Sequence, residues 1–242
     1  PYETVIAEAG SFMMMDSEIK MATIFGDGSH QESKGGIWDK VLTAGKRLLT
    51  GESLFLTAFT HGGTGKKRVS FASPYPGKII PLDLSKFEGK IVCQKDAFLC
   101  AAKGVHVGIE FSQKLGRGLF GGEGFIMQKQ EGDGMAFVHA GGHVTKKELA
   151  LGEALLVDTG CLVALTRDVH YDIEMVKGIR NIFFGGEGLF YSRLEGPGTV
   201  WIQTLPFSRL AQRIFSAAPQ TGGGGKDEGS ILGGLGNLLD GR

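Results

Sequence analysis

The chain contains a glycine-rich pattern that occurs twice and strongly limits the folds available to it. Gly-Gly-Glu-Gly stands at residues 121–124 and again, 64 residues later, at residues 185–188. Each copy precedes an apolar run, then Glu-Gly-X-Gly, then a second apolar run, which is typical of a β-hairpin. A related hairpin pattern begins at Gly51 and turns at residues 61–65. Three copies at spacings of tens of residues predict repeated supersecondary units that share one core.

A second element alternates with these hairpins. It begins at Tyr2, Gly89 and Gly152, and each copy consists of two apolar stretches on either side of a small residue. The small residue lies eight positions after the first residue of the element, at Gly10, Ala97 and Gly160. Element and hairpin therefore follow one another three times in order.

Composition favours strands over helices. Glycine accounts for 40 of the 242 residues, yet it has no triplet period, and hydrophobic residues still make up 42% of the chain. These values are typical neither of collagen nor of a disordered chain, so glycine is expected to supply turns. The runs between turns, such as IVCQ, LVALT and TVWIQ, are rich in residues that favour strands.

We therefore predict an all-β fold of mostly antiparallel strands in a single domain, residues 1–206. Its three repeats are expected at roughly residues 1–75, 76–145 and 146–206. We expect the repeats to close around one core with an approximate, pseudo-threefold axis. Closure of this kind removes exposed sheet edges, which would otherwise promote aggregation.

The C-terminal residues differ from the repeats. Ser208 is expected to cap a short helix at residues 207–218, which Pro219 and a run of glycines end. Residues 219–242 are expected to form a flexible Gly-rich linker and an apolar tail. We interpret the tail as docking on its own body or on a neighbouring subunit, or as a peptide that a protein partner or a membrane surface recognises.

Charge and cysteine content limit the partners and the location. Lys plus Arg equals Asp plus Glu, at 26 each, so no net charge favours nucleic acid. No stretch of the sequence reaches about 18 uninterrupted apolar residues, so no transmembrane helix is expected. Cys93, Cys100 and Cys161 lack a metal-binding spacing and are typical of reduced, buried thiols in a cytoplasmic protein. The chain starts at Pro1 without an initiator Met, which leaves open a removed targeting signal.

One turn is similar to a phosphate-binding loop but lacks its defining residues. Residues 62–66 read Gly-Gly-Thr-Gly-Lys, whereas the Walker pattern requires Gly in the place of Thr60 and Ser or Thr in the place of Lys67. We therefore expect a solvated hairpin tip that carries Lys66, Lys67 and Arg68.

Three carboxylates recur at one position of the repeat. They are expected to accept backbone N–H bonds where a strand begins, and a three-carboxylate cluster on the pseudo-axis is the alternative. The residues are Glu52, Glu123 and Glu187.

Two histidine-glutamate pairs have the same spacing in the second and third repeats. They are His106 with Glu110 and His170 with Glu174. Residues four apart on a strand share a face but stand about 13 Å apart, so one strand cannot chelate a metal alone. We expect structural hydrogen bonds, and convergence of both pairs on a metal or catalytic site is the alternative. The same distance separates His139 and His143 unless the chain bends between them. No catalytic, cofactor-binding or metal-binding residue is assigned.

Several stretches together resemble one protein family. They are VIAEAGSFMMMD from Val5, GESLFLTAF from Gly51, PGKIIPLDL from Pro76 and the GGEGLF block. The chain is similar over nearly its whole length to the altered-inheritance-of-mitochondria family numbered twenty-four, whose bacterial members are mostly described as proteins of unknown function. The resemblance implies a fold like that of the tryptophan RNA-binding attenuation protein. That fold is a small β-sandwich related to the double-stranded β-helix, and the resemblance implies three copies of it within this chain. It also implies a strand upstream of Pro1. For eukaryotic relatives it implies association with the mitochondrial inner membrane.

The recurring residues are mainly turn glycines and apolar core residues. Such residues are accounted for by folding alone, and they do not indicate a catalysed reaction. We therefore predict a non-catalytic structural or protein-interaction protein that needs no cofactor. It is expected to bind a protein partner or to self-associate, with the C-terminal tail as the candidate contact, and peripheral membrane association stays open. The alternatives are small-ligand or RNA binding, by analogy of fold, and a metal-dependent enzyme that uses the histidine-glutamate pairs.

Overall fold

Strands dominate the part of the chain that the structure describes. A computed structural model describes residues 2–25, 55–113, 124–175 and 190–218, and seventeen strands lie in these ranges. The first five are β1 (Glu3–Glu8), β2 (Phe12–Met15), β3 (Ile19–Phe25), β4 (Phe55–His61) and β5 (Val69–Phe71). The next six are β6 (Gly77–Asp83), β7 (Lys90–Gln94), β8 (Phe98–Ala102), β9 (His106–Gln113), β10 (Phe125–Glu131) and β11 (Met135–Gly141). The last six are β12 (Val144–Leu149), β13 (Ala154–Asp158), β14 (Leu162–Thr166), β15 (His170–Met175), β16 (Phe190–Glu195) and β17 (Gly198–Gln203).

The strands of the described residues pair antiparallel in four sheets. One six-stranded sheet has the order β3-β4-β1-β8-β11-β6, and the other has the order β12-β17-β14-β7-β10-β9. A three-stranded sheet has the order β13-β16-β15, and β2 pairs with β5 in a two-stranded ladder. The prediction of an all-β, mostly antiparallel fold is confirmed.

The same order of pairing occurs in three successive parts of the chain. In each part a central strand lies between two neighbours, giving β1-β4-β3, β7-β10-β9 and β13-β16-β15. Each part also contains a ladder between two further strands, namely β2 with β5, β8 with β11, and β14 with β17. Two additional ladders, β1 with β8 and β7 with β14, join one part to the next.

Three apolar clusters form the core. The first contains Leu84 and Phe98, the second Phe125 and Leu162, and the third Phe59, each with smaller buried neighbours. Full burial of a Leu or Phe side chain contributes about 1.5–3 kcal/mol relative to its exposure. These clusters therefore account for much of the stability of the sheets that they connect.

The short C-terminal helix is confirmed, but Ser208 does not cap it. Helix α1 comprises Phe207–Ala217, so Ser208 lies inside the helix and is not its cap. The carbonyl oxygen of Pro206 accepts the N–H of Arg209 at 3.0 Å, and a proline can precede the first turn because that turn needs no N–H from it. The prediction that Ser208 caps the helix is therefore wrong.

The chain divides into two units, residues 1–209 and residues 210–242. The predicted linker and tail, residues 219–242, lie outside the described residues. No helix in the described part of the chain has both the length and the apolar character needed to span a membrane.

We predict that the paired glycines Gly77 and Gly141 do not tolerate a side chain. They lie opposite each other at the end of the β6–β11 ladder. A Cβ on Gly77 would overlap the carbonyl oxygen of Ala140. This oxygen belongs to the backbone, so it cannot move aside as the end of a flexible side chain could. Gly77→Ala should therefore lower the free energy of unfolding in urea by about 2–3 kcal/mol. Gly62→Ala is the control, because its Cβ would meet nothing within 4 Å, and equal stability of the two variants would contradict the prediction.

Candidate functional site

The two histidine-glutamate pairs lie at matching places in the sheets. His106 on β9 pairs in register with Glu131, and His170 on β15 pairs with Glu195. The glutamate of each histidine-glutamate pair also has a structural partner. Glu110 accepts a hydrogen bond from Lys90 Nζ at 2.8 Å.

The carboxylate of Glu174 is held in the same way. Its Oε2 accepts the Tyr191 hydroxyl at 2.7 Å. Across residues 2–25, 55–113, 124–175 and 190–218, no three His, Cys, Asp or Glu side chains are grouped so that they could hold a metal ion. The two pairs therefore form no metal site in the described residues, although their strands meet where the rings of Phe111 and Tyr171 are in contact at a centroid distance of 5.5 Å. The carboxylates of Glu110 and Glu174 take part in structural hydrogen bonds.

His139 and His143 have contrasting surroundings. His143 is exposed, and its backbone N–H donates to Thr204 Oγ1 at 2.9 Å. His139 is 1% exposed, neither ring nitrogen has a hydrogen-bond partner, and its ring meets the edge of Tyr75 at a centroid distance of 5.1 Å. Burial lowers the pKa of His139 to about 4, so its imidazole is neutral at physiological pH.

The glycine-rich turn after β4 is an exposed hairpin tip, as the sequence predicts. Residues 62–66 are exposed, and His61 Nε2 lies 3.2 Å from the carbonyl oxygen of Gly65. Lys67 forms an ion pair with Glu18, and the backbone N–H of Arg68 donates to Asp16 Oδ2 at 2.8 Å. These contacts hold the hairpin against the turn between β2 and β3. The recurring carboxylates Glu52, Glu123 and Glu187 lie outside the described residues.

The three thiols are buried and poorly suited to nucleophilic chemistry. Burial raises the pKa of Cys93 and of Cys100 to about 12, and it also raises the pKa of Cys161. A protonated thiol is a weak nucleophile, because the thiolate is the reactive form. Buried thiols at these positions agree with the prediction from the sequence.

An acidic group that the sequence did not single out lies near the end of β1. Burial, and next the charge of Asp96, raise the pKa of Glu8 to about 7, while Lys95 acts in the opposite direction. The same two carboxylates contribute to a raised pKa of Tyr75, at about 12, although burial is the larger cause. This cluster contains a carboxyl group that exchanges its proton near neutral pH, beside a phenol that keeps its proton.

The sequence offered one weak signal for this cluster. Glu8 and Asp96 both fall in the turn that follows the first apolar stretch of the recurring element. Tyr75 comes from a distant part of the chain, and only the fold brings it close. Its ring also packs against Phe207 at a centroid distance of 5.5 Å.

A second candidate site is an exposed apolar strand. Phe12, Met13 and Met14 of β2 are 39%, 61% and 58% exposed, and we call them the β2 edge. Leu156 on β13 is also exposed, at 60%. A patch of large apolar side chains on a folded body is typical of an interaction surface.

We predict that Glu8 makes the protein less stable as the pH rises. Its pKa lies above the ordinary carboxyl value in the folded state, so the folded state binds more protons between about pH 4.5 and pH 7. The free energy of unfolding contributed by this group therefore falls as the pH rises through that window. Glu8→Gln should remove this slope and stabilise the protein by about 2 kcal/mol at pH 8. Urea unfolding at pH 5 and pH 8 measures it, and Glu3→Gln on the same strand is the control.

We predict the opposite slope for His139. Its folded-state pKa lies below the ordinary imidazole value, so the unfolded chain binds more protons between about pH 4 and pH 6.5. The free energy of unfolding should therefore fall as the pH falls through that window. His139→Phe keeps an aromatic ring and should reduce the acid-induced loss by about 2 kcal/mol. His143→Phe is the exposed control, and equal acid sensitivity of both variants would contradict the prediction.

The chain resembles proteins of known sequence and structure along most of its length. Residues 1–205 match the family described as Mitochondrial biogenesis AIM24. An uncharacterized protein of Streptococcus pyogenes serotype M6 is 29% identical over 219 residues, which cover 89% of this chain and 83% of that protein. The fold is similar to the crystal structure of a Streptococcus pyogenes protein, with a TM-score of 0.67 and 23% identity over 90% of each chain. Neither streptococcal protein carries a molecular role in its description. The match over residues 1–205 confirms the resemblance read from the sequence: the chain belongs to the Mitochondrial biogenesis AIM24 family.

Proposed function

We propose that this chain is a non-catalytic structural or protein-interaction protein. Its β body presents exposed apolar strands to a protein partner. The observation that carries the proposal is the exposure of Phe12, Met13 and Met14 on the β2 edge. Large apolar side chains in this arrangement gain free energy when a partner removes them from water.

The chemistry of the other polar groups supports a non-catalytic role. Glu110 and Glu174 accept hydrogen bonds from Lys90 and Tyr191, and these bonds fix strand neighbours. The raised pKa values of the thiols favour their unreactive form. Glu8 can exchange a proton near neutral pH, but a structural carboxyl in a buried turn has the same property.

We also infer that the three parts of the chain are structural repeats. In the second part Lys90 and His106 both pair with Glu131, and in the third part Ala154 and His170 both pair with Glu195. The registers therefore support Lys90 and Ala154 as equivalent residues. Alignment on the turn glycines of the sequence places them one residue apart.

A recurring bulge supports the same equivalence. The ladder of β8 with β11 skips Leu99, the ladder of β14 with β17 skips Val163, and the ladder of β2 with β5 skips Met13. A bulge at one position of each part is a feature that repeats would share. Closure of the repeats around a pseudo-threefold axis within one chain stays an expectation from the sequence, and no ladder between β13 and β2 of the described residues supports it. Likeness to the tryptophan RNA-binding attenuation protein stays a prediction.

We place the protein in the cytoplasm, because three free cysteines fit a reducing compartment. The tail, residues 219–242, is a second candidate for partner binding. Its sequence contains the apolar-rich stretch SILGGLGNLLD, and short apolar segments of this kind are bound in grooves of partner proteins.

We predict that the β2 edge is needed to capture a partner. Tagged full-length chain should retain a protein from native lysate, and Met14→Lys should reduce its recovery about tenfold, because binding would bury an unpaired charge. Leu151→Lys is the control, since Leu151 is 85% exposed and lies outside the edge. Quantitative mass spectrometry of the captured material measures the recovery.

Two results would contradict the β2 edge as the binding surface, and a third would overturn the proposed function itself. Equal capture by Met14→Lys and the wild-type chain would remove the β2 edge as the binding surface. Capture that is lost only on deletion of residues 222–242 would assign binding to the tail. A purified protein that binds no protein but retains a small molecule or a metal in stoichiometric amount would favour another class of function.

A further inference from the structure

We propose that strand β13 of one copy of the chain pairs with strand β2 of a second copy. The inference rests on the proposed function, and it names the partner of the β2 edge as another copy of this chain. Two ladders within the chain, which join its successive parts, supply the pattern for this contact.

The two joining ladders share one register. In the ladder of β1 with β8, Ile6 pairs with Ala101. In the ladder of β7 with β14, Val92 pairs with Leu165. Ala101 and Leu165 both lie two residues after the bulge of their strand, at Leu99 and Val163. The joining contact is therefore the same contact made twice.

A third contact of this kind is absent from the described residues. Within them β13 pairs with β16 alone, and β2 pairs with β5 alone. Both strands belong to the same unit, residues 1–209, yet no ladder connects them. Among the described residues, β13 therefore has an unpaired edge of the type that β1 and β7 present, and β2 has an unpaired edge of the type that β8 and β14 present.

Side-chain burial differs between the strands that the joining ladders pair and the two strands that they leave unpaired. Ile6 and Val92, in the joined strands, are 4% and 2% exposed, whereas Leu156 at the equivalent place in β13 is 60% exposed. Leu99 and Val163 are buried, whereas Met13 at the equivalent bulge is exposed. In both comparisons a large apolar side chain is exposed where the joining strand is missing. Unpaired strand edges of this kind are templates for pairing with another chain.

The register of the missing ladder follows from the other two. Counting two residues from the bulge at Met13 gives Met15, and the residue equivalent to Ile6 and Val92 is Leu156. The expected pair is therefore Leu156 of one copy with Met15 of the second copy. Ile6 and Ala101 share one core cluster, and Val92 and Leu165 share another, so the new pair would extend the apolar contacts around Met15.

A second copy fits these edges better than an unrelated protein. The same chain carries both halves of a contact that it already makes twice within itself. Pairing β13 with β2 of the next copy is a head-to-tail contact, which closes into a ring or extends as a filament according to the rotation between copies.

Disulfide trapping tests the register directly. Met15→Cys and Leu156→Cys are made in separate full-length chains, mixed, and oxidised with copper phenanthroline. Directly opposed residues on antiparallel strands have Cα atoms about 4.5–5.5 Å apart, which is within the span of a disulfide. We expect a covalent dimer in the mixture and none in either single variant. The wild-type chain controls for its own buried cysteines.

A chain that carries both Met15→Cys and Leu156→Cys distinguishes pairing between copies from pairing within one chain. A monomer with an internal cross-link, seen as a faster band on a non-reducing gel, would show that the repeats close within one chain and would overturn the proposal. Failure to cross-link in the mixture, with native stability of both single variants in urea, would also overturn it. Cross-linking only after deletion of residues 222–242 would show that the tail covers the edge, again against the proposal.

Sedimentation velocity supplies a second measurement that needs no new cysteine. Leu156→Lys should weaken self-association about tenfold or more, since pairing would bury its charge. Leu151→Lys should leave self-association unchanged. A wild-type chain that stays monomeric at high micromolar concentration would overturn the inference. Capture of a different protein through the β2 edge would then leave the proposed function standing.

Discussion

Backbone pairing between strands that are distant in the sequence is the constraint on which the rest of this structure depends. The ladders of β1 with β8 and of β7 with β14 join parts of the chain that would otherwise be separate small sheets. A two-stranded sheet is marginally stable alone, and a sheet of three or more strands needs an apolar face to be stable. The joining ladders extend the sheets to six strands, and the apolar clusters around Leu84 and Phe125 form on them.

The same constraint explains how much of the fold the sequence could predict. Strand chemistry and turn glycines are local signals, so the strands and the all-β class are readable from them. Register is a property of pairs of strands, so alignment on Gly89 and Gly152 alone missed it by one residue. The cap of α1 was misassigned for a separate reason, because Pro206 and Ser208 both carry local signals for the first turn of a helix.

The candidate site was less predictable than the fold. The charge of Asp96 contributes to the raised pKa of both Glu8 and Tyr75, but the three residues come from separate parts of the chain. His139 is buried without a hydrogen-bond partner, which a motif search for metal-binding spacing cannot reveal. The opposite shifts of the pKa values of Glu8 and His139 also mean that their contributions to stability partly cancel between about pH 4.5 and pH 6.5.

The exposed methionines of β2 carry a chemical consequence of their own. Met13 and Met14 stand in solvent, and oxidants convert such thioethers to sulfoxides. A sulfoxide is polar and chiral, so it lowers the free energy that an apolar strand gains from leaving water. Reductases reverse the change in living cells. The affinity of this strand for an apolar surface therefore depends on the redox history of the solution around it.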